Sequence, residues 1–600
     1  MILLTKSRET VARLQDRNVI GGTLTSNVLR YVLENIWMTV KDCWKIQEAM
    51  ISWFTTNKTR KNPYVRKYVY RDGEFISVFR TISPGDNVLV FNSLSHERYE
   101  IIELFTKIPN IRIIDHNKKD VTVQVNPIWK YNPKNVVVIS KQFYKIMFAV
   151  LIPPLTIELF KIKETSMTTL NTATIYCVHC MIEEDMSGGI YSPFTIQPIE
   201  LGDVQLESYK HRLIFDEHTG FLKTVIEKDT LTEKPVVIDY KAFTGSYVNA
   251  GVFLLNTNTT KPIRDILKPY RTTKLFIILT GPLTTEFTSV YGQLLHHTVK
   301  LFNVLNSPLS SAIYIESKID LDVSPSNRDL ELFMSIQTDI SNGNPPEIHI
   351  DNNGFQYTPR TINVTRRIES NVYPVTTLSY IQDRKQRLTV ITDHAQGVTA
   401  LQEGQIVLML DRRVLFDDGR GVNEGLADSG GSCQRHYILL ENFSRTSKYY
   451  PVPNSKSVQL PSFRANYLSN AFNYDTDIFI IDKNVTGYCL YAIVPLIKAT
   501  YPCDVFLLSY RTFLDGITSK RSSSNVGLMI LHRQSFTCQI NYESLVHCDV
   551  DPNISIQSIL PGSRTVFKTN LAGTNKGTRL KYINLEMFQP MELLTLRIFS

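Results

Sequence analysis

A chain of 600 residues that is 43% hydrophobic and 20% charged is too long for one ordinary domain and too apolar to be disordered, so three or four packed units are expected. Its formal net charge of +8 is spread over that length, which gives solubility and a mild preference for anions but no polynucleotide footprint, and nucleic acid is not expected as a partner. The start, MILL followed by Lys6, Arg8 and Glu9, is far too short an apolar core for a signal peptide or anchor, and no later segment approaches a membrane span.

Residues 1–56 read as the strongly helical part of the chain. From Ser26 the apolar positions Leu29, Leu33, Ile36, Trp37, Val40 and Trp44, then Met50 and Trp53, fall mostly three or four apart, and TLTSN before them supplies N-cap candidates. A stripe this broad must be covered by other helices or by another chain, so helix 26–54 is the expected place for self-association or for a partner protein. The run from Asn57 to Arg71 interleaves Lys58, Arg60, Lys61, Arg66, Lys67 and Arg71 with tyrosines; a solvated linker or edge strand explains it more simply than nucleic-acid contact.

Beyond it the period changes to two. Asn87 to Phe105, Asp120 to Trp129 and Met147 to Ile162 are β-branched and aromatic runs broken by Pro, Asn and Gly, the pattern of a small sandwich over residues 57–165. Cys177 and Cys180 form a lone CxxC with no second pair at zinc-finger spacing, so a buried strand is the default reading. A polar stretch with Gly188 and Gly189 punctuates the chain. Short strands then follow closely, giving a large β-sandwich unit over 166–445. His296 and His297 are adjacent in one of them and so point to opposite faces, which argues against joint metal ligation.

After the apolar run Gln405 to Leu410 comes DRRVLFDDGRGVNEG, residues 411–425, with four acidic and three basic side chains in fifteen residues. Asp411, Arg412 and Arg413 can pair with Asp417, Asp418 and Arg420 across a turn made by Gly419 and Gly421, and such carboxylate and guanidinium arrays also suit sugar hydroxyls. Just beyond, Ser432 and Cys433 lie near His436, but a loop leading into a strand explains them better than a nucleophile and base. A second punctuated stretch from Ser444 to Ser457 precedes a last β-rich unit, 446–600, in which Cys538 and Cys548 flank a short polar segment as a hairpin disulfide would. The expected fold class is mainly β: a short amino-terminal helical segment, then several antiparallel β-sandwich domains.

No P-loop, strand-bound GxGxxG, HExxH or EF-hand word is present. The six N-x-S/T sequons are about the number chance gives in so Asn-, Ser- and Thr-rich a chain, and do not settle the compartment.

GFQYTPR (Gly354 to Arg360), NVYPVTTLSYIQDRKQRLTV (Asn371 to Val390), QGVTALQEGQI (Gln396 to Ile406) and DRRVLFDDGRG (Asp411 to Gly421), in this order, resemble the carboxy-terminal half of glycoside hydrolase family 38, closest to the Golgi and lysosomal-type class II α-mannosidases. FAVLIPPLTIELFKI (Phe148 to Ile162) resembles that family's small sandwich, and YPCDVFLLSYRTF (Tyr501 to Phe513) with MILHRQSFTC (Met529 to Cys538) its last domain. LQDRNVIGGT (Leu14 to Thr23) is similar to a decayed copy of its metal-site word, Q-H-H-D-A-I-T-G-T. The resemblance makes residues 1–56 a remnant of the family's middle helical domain and supports a disulfide between Cys538 and Cys548.

The resemblance implies hydrolysis of α-mannosidic bonds in N-glycans, zinc as the family's cofactor, a mannose-containing glycan as partner, and the Golgi or lysosomal lumen. It also implies that the aspartate nucleophile, the acid/base aspartate and three of four zinc ligands belong to a domain before Leu14. The remaining zinc ligand corresponds to Arg17, a permanent cation that cannot coordinate, and the neighbouring sugar-binding position to Asn18. A substrate-contacting tyrosine corresponds to Val252, so a polar handle is missing. Arg413, as the second arginine of the DRR word, corresponds to a contact in the mannose pocket, with Asp411, Arg412, Asp417, Asp418 and Arg420 around it. No catalytic residue and no cofactor is therefore expected in this chain, which reads as a noncatalytic α-mannosidase II-like protein. The alternative is a truncated fragment of an active zinc-dependent retaining enzyme. With no leader, a complete chain of this sequence would stay in the cytosol.

Overall fold

The computed structural model describes residues 2–56, 65–69, 80–133, 136–166, 171–179, 181–184, 193–198, 204–245, 250–257, 265–323, 329–362, 365, 367–426, 431–443, 460–481, 491–497, 501–515, 522–537, 553–555, 565–584 and 589–599. Cys538 and Cys548 fall outside them, as do Cys180, Gly188, Gly189 and the parts of the basic run at 57–64 and 70–71.

The predicted helical lead is three helices: α1 (Ile2–Arg13), α2 (Arg17–Gly21) and α3 (Ser26–Thr55). Asp16 caps α2 by accepting from the Asn18 amide at 2.8 Å, and Gly22 closes it in the left-handed region at φ 67°. α3 touches the body at both ends. Its last turn buries Ile51, Ser52 and Thr55 against the first sheet, while Gln47 donates to Asp477 at 3.0 Å. Among the described residues no helix is long and apolar enough to cross a membrane.

Everything after α3 is mainly antiparallel β, as the period-two runs predict. In the small double sheet, a seven-stranded sheet runs Val65–Tyr68, Asp477–Ile481, Asn87–Phe91, Thr156–Glu164, Ile111–Ile114 and Asp120–Val121, with Ile493–Pro495 against Thr156–Glu164. Val65–Tyr68, the described part of the basic run, is its edge strand, and Lys67 there pairs with Asp477. The strand Asp477–Ile481 arrives from more than 300 residues downstream and fills the place between two early strands. Across the core formed by Val88, Val90, Phe148, Phe160 and Ile480 lies a five-stranded sheet built on Arg98–Thr106, Val123–Asn132 and Val136–Ile152.

The large unit packs an eight-stranded sheet, containing Thr232–Phe243, Leu330–Thr338 and Gln405–Arg413, face to face with an eleven-stranded sheet containing Leu295–Phe302, Ile313–Ile319, Gln386–Thr392 and Ser432–Asn442. The outer face of the eleven-stranded sheet meets the small double sheet through Leu275, Ile277 and Val290. Lys300 there reaches Glu286 at 3.1 Å and Glu103 at 3.3 Å, and Lys145 reaches Glu103 at 3.2 Å. That network locks the two units together. The helix α4 (Phe463–Asn473), capped by Ser462, covers a second part of the same face through Ala465 and Leu468. A five-stranded sheet including Val505–Asp515 and Leu593–Phe599 ends the chain.

Candidate functional site

The strand Gln405–Arg413 runs further than its apolar part and carries Asp411, Arg412 and Arg413 out of the core still hydrogen-bonded to Leu330–Thr338. The register places Arg412 opposite Glu331 and Arg413 opposite Leu330, and shifts between Leu332 and Phe333, as at a bulge. Glu331 is fully buried, and Arg412 grips it with both arms of the guanidinium, Nε to Oε2 at 2.7 Å and Nη2 to Oε1 at 2.9 Å. Burial pushes the Glu331 carboxyl up, and the Arg412 charge opposes that shift without cancelling it. Arg412 also donates to the carbonyls of Gly251 at 3.2 Å and Leu254 at 3.1 Å.

The pairs expected across the turn do not form. Arg413 pairs with Asp322 at 2.7 Å and donates to the Leu321 carbonyl at 3.2 Å, while its Nε is buried without a partner. Asp411 accepts from the Ser432 hydroxyl at 2.8 Å. Asp417 accepts from the amides of Gly419 at 3.0 Å and Asn423 at 3.1 Å, and Asp418 from those of Phe253 at 2.8 Å and Leu254 at 3.2 Å. Arg420 is exposed, and its side chain has no ion-pair partner among the described residues. The reason is local: the short side chains of Asp417 and Asp418 reach loop amides close by and accept from them in place of a guanidinium. Glu424, at the far end of the loop, accepts from the Ser26 amide at 2.8 Å and hydroxyl at 2.5 Å, which caps α3 where Thr25 makes no side-chain cap. Those two bonds lower its pKa. The charged loop is thus tied to the helical lead.

The loop around Val252 closes the other side. Val252 is buried, and the backbone beside it lies so near Asp418 that a Cβ on Gly251 would stand 2.6 Å from the Asp418 amide nitrogen. Gly251→Ala is expected to push the two loops apart at a cost of about 1–3 kcal/mol, seen in urea unfolding and in faster protease nicking between Asp417 and Gly425. Unchanged stability and cleavage would show that the loops are not held by this approach.

Arg17 and Asn18 stand in the first turn of α2. Arg17 is exposed and makes no ion pair among the described residues, and Asp16, the acid beside it, is occupied as the helix cap. Among the described residues no three His, Cys, Asp or Glu side chains converge to hold a metal.

The remaining candidates separate. His297 faces the core, bonded to Tyr240 Oη at 2.7 Å, whereas His296 stacks on Trp129 on the opposite face. His436 bonds Gln396 at 2.8 Å, and burial drives it down to about 3. Burial with the nearby Glu316 charge pushes the Cys433 thiol up to about 12, so the two form no nucleophile and base. Cys177, expected as an ordinary strand residue, is disulfide-bonded, and so is Cys503; the bonded partners lie outside the described residues. Glu331, Asp322 and Glu424 are the residues that sequence reasoning missed around the loop. The signal for Glu331 was an acid inside the apolar strand Leu330–Thr338, which must find a counter-charge.

Residues 206–420 match the family model described as glycosyl hydrolases family 38 C-terminal domain. The chain is 30% identical over 567 residues to an alpha-mannosidase 2 of Spodoptera frugiperda, covering 90% of this chain and 49% of that protein. It is 28% identical to an alpha-mannosidase 2 of Homo sapiens, covering 87% and 44%. The chain therefore spans about half the length of these relatives. An alpha-mannosidase crystal structure from Enterococcus faecalis superposes with a TM-score of 0.52 at 11% identity, over 99% of this chain and 63% of that one, which shows a shared fold.

Proposed function

Since the chain belongs to glycoside hydrolase family 38, with that family's carboxy-terminal domain at residues 206–420, we propose that it is a noncatalytic α-mannosidase II-like protein whose 411–425 loop remains as one wall of a mannose-facing surface. The observation that carries this reading is Arg17. The resemblance sets it where the family holds a zinc ligand, and a guanidinium neither coordinates nor tolerates a divalent cation beside it. The residues present do not fit the metal, and no hydrolytic step is derived through it.

Arg413 is the contact on the surviving wall. Its guanidinium is held by Asp322 and the Leu321 carbonyl, the exposed Arg420 is the loop's uncommitted donor, and Asp411, Arg412, Asp417 and Asp418 hold the wall in shape. The expected ligand is a mannose-containing glycan. α3 is the protein-contacting surface, for a second copy or another partner. The disulfides at Cys177 and Cys503 support an oxidising compartment over the cytosol that the amino terminus suggested.

Calorimetric titration of the full chain with methyl α-mannoside is expected to show weak, millimolar binding that Arg413→Met abolishes. No binding by the natural chain would remove the sugar-facing wall. Stoichiometric bound zinc together with turnover of an aryl α-mannoside by the purified chain would overturn the noncatalytic reading and favour an active zinc-dependent enzyme.

A further inference from the structure

The last sheet gathers basic residues on one face. From Thr565 to Phe599 the sequence carries five Lys or Arg against two Glu. The strands pair in the order Val505–Asp515, Ser522–Arg533, Leu593–Phe599, Thr565–Thr569 and Arg579–Leu580. Their registers set Arg511, Leu528, Arg597, Phe567 and Arg579 in one row across all five. The neighbours of that row, Met529, Ile598, Val566 and Leu580, pack into the core on the other side, so the three arginines belong to the outer face. Each is two strands from the next, about 10 Å.

Lys576 reaches the same face from the loop after Thr569. Its Nζ stands 4.6 Å from the centre of the Phe567 ring and 5.6 Å from that of Phe599, and the Arg597 guanidinium stands 5.3 Å from Phe599. Backbone and side-chain bonds fix the loop: the Thr574 amide donates to Asn570 Oδ1 at 2.9 Å, the Gly577 amide to the Lys568 carbonyl at 3.0 Å, and Arg597 Nη1 to the Gly573 carbonyl at 3.2 Å. Among the described residues none of Arg511, Lys576, Arg579 and Arg597 has an ion-pair partner. Arg8 on α1 comes near the end of the row, where burial and then the Arg511 charge lower its pKa. Cations about 10 Å apart with no acid between them repel one another at moderate ionic strength, and an anion laid along the row relieves that repulsion.

We propose that this face binds an extended polyanion, a sulfated oligosaccharide, with sulfate groups among Lys576, Arg579 and Arg597 and further along the row at Arg511. The forked guanidinium suits the paired oxygens of a sulfate. A spacing of two strands fits charges that recur once per disaccharide better than the closer phosphates of a nucleic acid strand. Cations already stand over Phe567 and Phe599, where a base would stack. Leu571, 56% exposed on the loop, is too small an apolar area to hold the face on a bilayer. The surface stands apart from the mannose-facing wall, since none of its residues lies in the 206–420 domain or the charged loop.

Calorimetric titration of the full chain with a heparin decasaccharide at low salt is expected to show micromolar binding that weakens as NaCl is raised and is absent for the same oligosaccharide stripped of its sulfates. Lys576→Gln with Arg579→Gln, both exposed, should weaken binding about tenfold or more with the melting curve unchanged. Arg511→Gln should weaken it too, and still decides if the paired variant misfolds. Lys118→Gln with Lys119→Gln, an exposed pair on the small double sheet, should leave the affinity as it is. No binding at low salt, equal binding of the desulfated oligosaccharide, or an equal loss in the control pair overturns the proposal. So does tighter binding of phosphatidylserine vesicles, which would assign the face to lipid, or of single-stranded DNA, which would assign it to nucleic acid. Binding of methyl α-mannoside should be the same with and without Lys576→Gln and Arg579→Gln, which keeps failure here distinct from failure of the sugar reading.

Discussion

Glu331→Gln is expected to cost the large sandwich about 3–5 kcal/mol, read as a drop in the urea needed to unfold it, because it leaves the half-buried Arg412 guanidinium opposite a neutral amide. The cost comes from both sides of the pair. Glu331 has no solvent to fall back on, and Arg412 also holds the carbonyls of Gly251 and Leu254, so a guanidinium that swings out releases the neighbouring loop too. The double variant Glu331→Leu with Arg412→Met should recover most of the loss, since a buried ion pair and an apolar pair of similar volume are nearly equivalent once both charges are gone. The exposed pair of Glu207 and Arg212 is the control, and Glu207→Gln should change stability by less than about 1 kcal/mol. A loss of under about 1 kcal/mol at Glu331 would show that the pair does not organise the loop.

The second large effect is on acid stability. Burial holds His211 and His349 down to about 4 and His297 and His436 down to about 3, all four in the large sandwich. Each is neutral when folded and takes up a proton near pH 6.5 when unfolded. The unfolded chain therefore binds more protons below about pH 6.5. The stability these residues contribute is fully present above that value and is lost as pH falls toward 4 and then 3. The limiting slope is about 1.4 kcal/mol per pH unit for each histidine, hence about 5 kcal/mol per unit for the four around pH 5. Urea unfolding between pH 7 and 5 should show stability falling ever more steeply toward this slope, and His436→Gln, which can keep a hydrogen bond to Gln396, should reduce the fall by about a quarter. A flat profile over that range would refute it. Glu103 acts in a separate window. Burial opposes its ionisation, but Lys145 and Lys300 prevail and hold it down to about 2, so its contribution is lost only as pH falls from about 4.5 to 2.

The helical lead and the β character of the rest were legible because they are local. Spacing of three and four from Leu29 to Trp44 reads as a helix, and the short β-branched and aromatic runs Asn87–Phe91 and Thr156–Glu164, bounded by turn residues, read as strands. The family words from Gly354 to Gly421 were legible too. What could not be read was which strands pair across the chain. Asp477–Ile481 sits between Val65–Tyr68 and Asn87–Phe91 because it completes a core that the early strands leave open, and nothing in its five residues names those neighbours.

The same division holds at the charged loop. By itself the sequence determined that residues 411–425 gather opposite charges after a buried strand and that Gly419 and Gly421 turn the chain there. Only the tertiary structure decided what each charge does. Asp417 and Asp418 turn to loop amides, Arg412 and Arg413 reach acids on other segments, and Glu424 caps α3. Charge and turn propensity act over a few residues and are written in the local order. The partner of a buried charge is set by whichever distant segment the fold brings within about 3 Å, because there desolvation makes an unpaired group cost more than any local preference returns.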